Sequence, residues 1–240
     1  MLSIKKLTVQ SKEKKELVCI ENVTVSPGTI SLVVGKNGSG KTSFLHGLFL
    51  HPSVICTKRE LFLEGEDVSN ASLLEIYTKG IQYVPQHLLP LPGVSLISFL
   101  HTAFEKKFSE KISLISFVEK VKQVCTEYNL PHYLIEKNVH ENLSGGERKM
   151  QELIQILILK PQYLFLDEID SGLDRDAKVI VIAIINRLKT EGVGIMLVSH
   201  SFEFAELLTP NNVILIGDGS IVRKGDMYLF LEIKKEGFPV

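Results

Sequence analysis

The sequence contains no tryptophan, and its three cysteines, Cys19, Cys56 and Cys125, are too few and too scattered for a disulfide framework or a Cys-x-x-Cys site. They read as small thiols in a reducing compartment, so a cytoplasmic location is expected. No hydrophobic run is long enough for a membrane. The longest, "VIVIAII" (179–185) and "LIQILILK" (153–160), fall well short of the roughly 20 residues a span requires. Neither sign of charge dominates: 27 basic and 28 acidic residues leave a formal charge of −1, which excludes a global basic field for nucleic acid. The opening "MLSIKKLTVQ" alternates like a strand and does not read as a signal peptide. Repeats and low-complexity tracts are also missing. What remains is 240 residues of ordinary globular composition, enough for one large domain or a domain with an inserted lobe.

Residues 2–9 and 17–25 read as short strands linked by "SKEKKE", and "TISLVVG" (29–35) as an apolar strand that breaks into glycine. "TSFLHGLFL" (42–50) has helical spacing, and 60–69 reads as a hairpin around Gly65. From about His87 to Gln151 the texture becomes amphipathic helix. Ser95 is the expected N-cap of one helix, and another places Phe117, Val121, Val124 and Tyr128 on one face. "YLFLD" and "GIMLVSH" are continuous apolar runs of the kind buried parallel strands show, with a helix, "RDAKVIVIAIINRLKTEG", between them. "NNVILIGDGSIVRKG" closes the chain as two strands joined at "GDGS".

The stretch "GKNGSGKT" (35–42) fits G-x-x-x-x-G-K-[ST] at every fixed position and lies between a strand and a helix. Gly35, Gly38 and Gly40 let backbone amides curl round phosphate oxygens without an obstructing Cβ. The helix begun at Lys41 adds its positive end. Lys41 reaches the β and γ phosphates, and the Thr42 hydroxyl is placed to ligate Mg²⁺. Lys36, Asn37, Ser39 and Ser43 complete the nucleotide-binding set. The competing reading is a glycine-rich turn with a solvated lysine, and the strand–loop–helix setting weighs against it.

In "LSGGERKMQELIQILIL" (143–159), Ser144 and Glu147 have capping-box spacing, and Met150, Leu153, Ile154, Leu157 and Ile158 form an apolar stripe. A well-capped core helix explains that much. It does not explain Gly145 and Gly146 in the first turn, where glycine is a poor helix former. Close approach of an anion to their amides does.

With "YLFLDE" downstream, these motifs resemble the ATP-binding cassette (ABC) ATPases over essentially the whole chain. Gln86 in "VPQ" matches that family's Q-loop and His200 in "VSH" its switch histidine. The resemblance implies an α/β P-loop NTPase fold: an ABC ATPase core with an antiparallel β subdomain and an inserted helical subdomain. A single domain over 1–240 is expected, with core at 1–86 and 161–240 and the helical subdomain at 87–160. It also implies a Mg²⁺-dependent ATPase. Asp167, with Thr42 and Gln86, would hold Mg²⁺, Glu168 would deprotonate the attacking water, and His200 would steady the γ-phosphate. Ser144, Gly145, Gly146 and Glu147 would serve nucleotide on another copy, in a transient ATP-dependent homodimer. Ser171, Gly172, Leu173 and Asp174 would form the D-loop that links the active sites of the two copies. One departure is plain: such ATPases commonly stack adenine on an aromatic near the second strand, yet residues 1–43 contain none.

Within the family, "DEIDSGLDRDA", "SGGERKMQELIQ", "LPGVS" and "IVRKGD" resemble the SufC-type ATPases of Suf iron–sulfur cluster assembly more than the "DEPTSALD" form common in transporters. That implies SufB/SufD-type scaffold partners, docking near the Q-loop around 87–100, with cluster ligands on those partners. The alternative is the nucleotide-binding subunit of a membrane transporter. Neither reading calls for nucleic acid or for insertion of this chain into a membrane.

Overall fold

Five short, mostly apolar strands build the middle of the protein. In the computed structural model, which describes residues 1–238, β3 (Ile30–Val34), β7 (Tyr163–Asp167) and β8 (Gly194–Val198) are buried along their whole length. They pair in parallel with β6 (Ile81–Val84) and β9 (Asn212–Gly217), and β10 (Ser220–Gly225) adds an antiparallel edge, in the order β10-β9-β3-β8-β7-β6. Continuous apolar runs suit this position because helices cover both faces of a parallel sheet. A second, antiparallel sheet has the order β2-β1-β4-β5. It comprises β1 (Leu2–Gln10), β2 (Glu16–Val25), β4 (Ile55–Leu63) and β5 (Glu66–Asp67). Residues of β1 alternate buried and less buried, as expected where one face meets the core. The turn between β4 and β5 places Glu64 and Gly65 at φ 50° and 87°, the mirror-image turn that suits hairpin twist.

The helices are α1 (Lys41–Leu48), α2 (Leu73–Thr78), α3 (Leu96–Phe108), α4 (Leu114–Glu127), α5 (Gly145–Leu159), α6 (Arg175–Thr190), α7 (Phe202–Leu207) and α8 (Met227–Glu236). Ser95 caps α3 as expected, its hydroxyl accepting the Ser98 N–H. On α4 the buried seam runs through Phe117, Val121 and Cys125, with Val124 and Tyr128 only partly buried beside it. The expected face is therefore rotated toward Cys125. Helix α5 departs further from expectation. It is buried all round from Lys149 to Leu159, because α3 and α4 pack on one side and α6 on the other. Among the described residues no helix is long and apolar enough to cross a membrane.

Candidate functional site

The phosphate loop leaves β3 at Gly35 and enters α1 at Lys41. A Cβ at Gly35 would lie 2.2 Å from the Ile216 carbonyl oxygen and 2.6 Å from Ser39 Oγ, so only glycine fits there. Gly40 occupies the N-cap of α1 without a side-chain cap, leaving the first-turn amides open to an anion. Lys41 Nζ donates to the carbonyls of Gly35 and Lys36, each at 2.9 Å. The loop is thus closed around its own lysine. Burial pushes the Lys41 pKa down, opposed by the charges of Glu168 and Asp167. Asn37, Gly38, Gly40, Lys41, Thr42 and Ser43 line one side of a cavity of about 600 Å³, and Gln86, Glu168 and His200 line the other. Lys36 contributes its carbonyl to the lysine, and Ser39 is buried beneath the loop.

At the end of β7 the two adjacent carboxylates diverge. Asp167 is fully buried and neither of its oxygens has a hydrogen-bond partner. Burial pushes its pKa up to about 6; the Glu168 charge adds to this, and the Thr42 hydroxyl, Lys41 and the Tyr83 hydroxyl oppose it. Glu168 sits in the left-handed region at φ 50°, which costs a non-glycine residue about 1 kcal/mol. Two bonds hold it there: its N–H donates to the Val198 carbonyl at 2.9 Å, and its carbonyl accepts from Lys149 Nζ at 2.9 Å. The turn swings the Glu168 side chain into the cavity. There Oε2 accepts from Gln86 Nε2 at 2.5 Å and Oε1 lies 2.8 Å from His200 Nε2.

The orphaned oxygens of Asp167 beside the Thr42 hydroxyl suit a divalent cation, which would repay their desolvation. Among the described residues no group of three or more His, Cys, Asp or Glu forms a protein-only metal cage. Such an ion would draw its remaining oxygens from phosphate and water.

Beyond Glu168 the chain turns through Ser171, Gly172 and Leu173. Lys149 Nζ also donates to the Ser171 carbonyl and hydroxyl, so one buried lysine of α5 fixes both the Glu168 carbonyl and this loop. Asp174 caps α6, its carboxylate accepting the Ala177 N–H at 2.8 Å. Asp170 is buried and accepts from Ser199 Oγ at 3.0 Å, and the same hydroxyl accepts the Ser201 N–H. These bonds bracket His200. Neither Lys149 nor Asp170 was expected in a supporting role. For Lys149 a signal existed, a lysine in register with Leu153 and Ile156 on an apolar face.

The structure does not bring Ser144–Glu147 to the cavity. Ser144 and Glu147 form the reciprocal capping box, with Glu147 Oε2 accepting the Ser144 N–H at 2.7 Å. Tyr133 donates to the other Glu147 oxygen at 2.6 Å and, with Ser144, holds the carboxyl down to about 2. Nothing lies within 4 Å of a Cβ added at Gly145, and only Leu173 Cδ2, at 3.9 Å, approaches one at Gly146. The first turn of α5 is capped and open.

The sequence profile of the ABC transporter family matches residues 21–171. The chain belongs to the ABC transporter ATPase family. A Streptococcus pyogenes serotype M18 protein named as a probable ABC transporter ATP-binding protein is 31% identical over 240 residues, covering 99% of this chain and 93% of that one. A Synechocystis protein named as a probable ATP-dependent transporter is 31% identical over 242 residues, covering 99% and 94%. Vegetative protein 296 of Bacillus subtilis is 30% identical over 239 residues, covering 99% and 91%. Among solved structures, the dimeric bacterial ABC transporter cassette MJ0796 superposes with a TM-score of 0.80 at 19% identity, covering 95% of this chain and 99% of that one. A post-hydrolysis dimer of the same cassette, bound to ADP and phosphate, also gives 0.80, at 18% identity. The fold is that of an ABC ATPase: a P-loop NTPase with mixed α/β sheets.

Proposed function

We propose that this chain is the Mg²⁺-dependent, ATP-hydrolysing component of a SufB/SufD-type scaffold machine in the cytoplasm, driven by transient ATP-dependent homodimerisation. The observation that supports hydrolysis best is the clasp on Glu168: Gln86 and His200 occupy its two carboxylate oxygens at the mouth of the phosphate-loop cavity. A general base must face the proton it removes. Here Gln86 donates to one oxygen and His200 stands against the other, so the base is latched until both move away.

Phosphate binding starts with Lys41. Its ammonium exchanges the Gly35 and Lys36 carbonyls for β- and γ-phosphate oxygens, while the open amides of the loop and of α1 wrap the phosphates. Thr42, Asp167 and Gln86 would hold Mg²⁺, which would supply charge neutralisation on the phosphate oxygens. Glu168, released by Gln86 and His200, takes a proton from the attacking water on its carboxylate. His200 turns its Nε2 from Glu168 to the γ-phosphate. The amides of Gly145 and Gly146, with the Ser144 hydroxyl, close over the nucleotide of a second copy, Glu147 capping that turn. The loop Ser171–Leu173, fixed by Lys149, lies between the two sites. No stacking aromatic exists in residues 1–43, so base selectivity is loose.

A groove of about 860 Å³, lined by Phe49, Leu73, Leu74, Tyr77, Val94 and Phe99 among others, runs between α2 and α3 and overlaps the region 87–100. Its apolar lining suits a partner helix. The "DSGLD" form supports a scaffold partner whose own residues hold the cluster. The second reading, the nucleotide-binding subunit of a membrane transporter, is favoured by the names of the relatives. Purification of the tagged Glu168→Gln chain from native cells with ATP separates them. Recovery of SufB/SufD-type proteins supports the first reading, and recovery of an integral membrane permease overturns it.

A further inference from the structure

Two stretches distant in sequence are joined side by side: the one leaving Gln86 and the one entering α5. Across the seam the Leu91 N–H donates to the Val139 carbonyl and the Val139 N–H to the Val94 carbonyl, each at 2.9 Å. Two side chains from the α5 side reach consecutive carbonyls on the other. His140 Nδ1 lies 3.1 Å from the Leu89 carbonyl oxygen, and Arg148 Nη1 donates to the Leu88 carbonyl at 3.5 Å while its Nε holds Leu143 at 3.1 Å.

His140 is 5% exposed. Its Nε2 lies 2.8 Å from Glu152 Oε1 without making a hydrogen bond. The His140 backbone N–H donates to Gln151 Oε1 at 2.8 Å, and Gln155 Nε2 donates to Glu152 at 2.6 Å. These contacts hold His140 at φ 54°, a conformation that costs an ordinary residue about 1 kcal/mol. Hydrophobic packing does this job only in part on the facing side, where Leu88 is half-buried against the core. The Leu89 side chain is 75% exposed, so its backbone is gripped while its side chain stays out. A segment with so little buried surface moves freely unless polar bonds restrain it.

We propose that His140, with Arg148 as a second arm, is a positioning residue that ties the Q-loop exit to the first turn of α5. Gln86 latches Glu168, Leu89 is three residues on, His140 grips Leu89, and Ser144 follows four residues after His140. Displacement of Gln86 on one side of the seam therefore moves the open end of α5 on the other. The functional part of this inference rests on the ATPase reading of Gln86 and Ser144 given above; the mechanical part does not.

Hydrogen exchange on the full nucleotide-free chain tests it, using two variants that both preserve a polar side chain. In His140→Asn the amide nitrogen takes the Nδ1 position, and asparagine tolerates this backbone conformation. In His140→Gln the nitrogen takes the Nε2 position and the Leu89 contact is lost. Exchange at both Leu91 and Val139 should rise roughly fivefold or more in His140→Gln, as expected for one lost hydrogen bond. It should stay near wild type in His140→Asn, and phosphate-loop amides should not change in either. ATP affinity of the monomer should be unchanged in His140→Gln while ATP-driven association weakens. Equal exchange in both variants, a change on one side of the seam only, or loss of protection in the phosphate loop overturns the tie. A wild-type chain that never associates with ATP would count against the dimer reading, and the exchange pattern would still judge His140.

Discussion

On the proposed function the phosphate-loop cavity and the first turn of α5 would both meet phosphate, but they differ in what they lack. The cavity is crowded with its own partners: Lys41 sits on Gly35 and Lys36, and Glu168 is clasped by Gln86 and His200. The α5 turn is closed by the bonds of Ser144, Glu147 and Tyr133 yet faces open space at Gly145 and Gly146. The first region must rearrange to bind its ligand and the second must not. A self-occupied site suits the half that performs chemistry, because its reactive groups stay paired until nucleotide arrives. A capped, open turn suits the half that only closes over a ligand held elsewhere.

The largest effect should come from Lys41→Ala, which strikes the first region alone. ATP affinity, measured by calorimetry on the monomer, should fall by about a hundredfold or more, as expected for a lost charge-assisted phosphate contact. Unchanged affinity would remove the cavity from the account. Lys149→Met breaks the support shared by Glu168 and Ser171. It removes contacts worth about 2–3 kcal/mol, so turnover should drop at least tenfold while ATP affinity holds within a few-fold. Loss of affinity to the same degree would mean Lys149 serves binding. Asp170→Asn keeps the shape but weakens the bond from Ser199, and should cost turnover only a few-fold through a looser His200; a change in ATP affinity instead would contradict that placement.

The smallest effect lies outside both regions. Lys107 Nζ is buried without a hydrogen-bond partner near the rings of Tyr77 and Phe108, and burial pushes its pKa down to about 8. Between about pH 8 and its ordinary value of 10.5 the unfolded chain binds a proton that the native chain has released, so stability from this group rises with pH across that window. Thermal melts of Lys107→Met against wild type should show the wild type gaining relative to the variant from about pH 8 to about pH 10. A relative loss would contradict the burial of this cation.

How much of this was legible in the sequence depends on whether the signal was local. β3, β7 and β8 announced themselves as apolar runs, and Ser95 and Ser144 as caps, because those patterns express local rules. The burial of α5 on every side did not, since it comes from neighbours on both flanks. Helix α2 and β6 are short and give little periodicity. The residues around the cavity were visible as motifs, and the structure places Gln86 and His200 each within contact of Glu168. The lysine on an apolar face at 149 was a visible signal, but the hydrogen-bond partners of Lys149, Asp170 and His140 were not legible. Each of these three residues reaches a backbone or hydroxyl group at least 22 residues away or on another element, and nothing in their own neighbourhood specifies that reach. Asp174, expected in the D-loop, shows the converse: its helix-capping geometry is a local rule that the acidic cluster concealed.

The central claim is that the two phosphate-facing regions serve one nucleotide from two chains. Gly146→Asp, placed in the Glu168→Gln background, tests it most directly. A Cβ is accommodated at Gly146, aspartate suits the first turn of a helix, and its carboxylate would repel a phosphate approaching from outside. Sedimentation with and without ATP, paired with monomer ATP affinity, gives the answer. The account predicts that Glu168→Gln alone dimerises with ATP, and that adding Gly146→Asp leaves monomer affinity unchanged while abolishing the dimer. A dimer that persists, or an affinity that falls with it, would contradict the division of labour between the two regions.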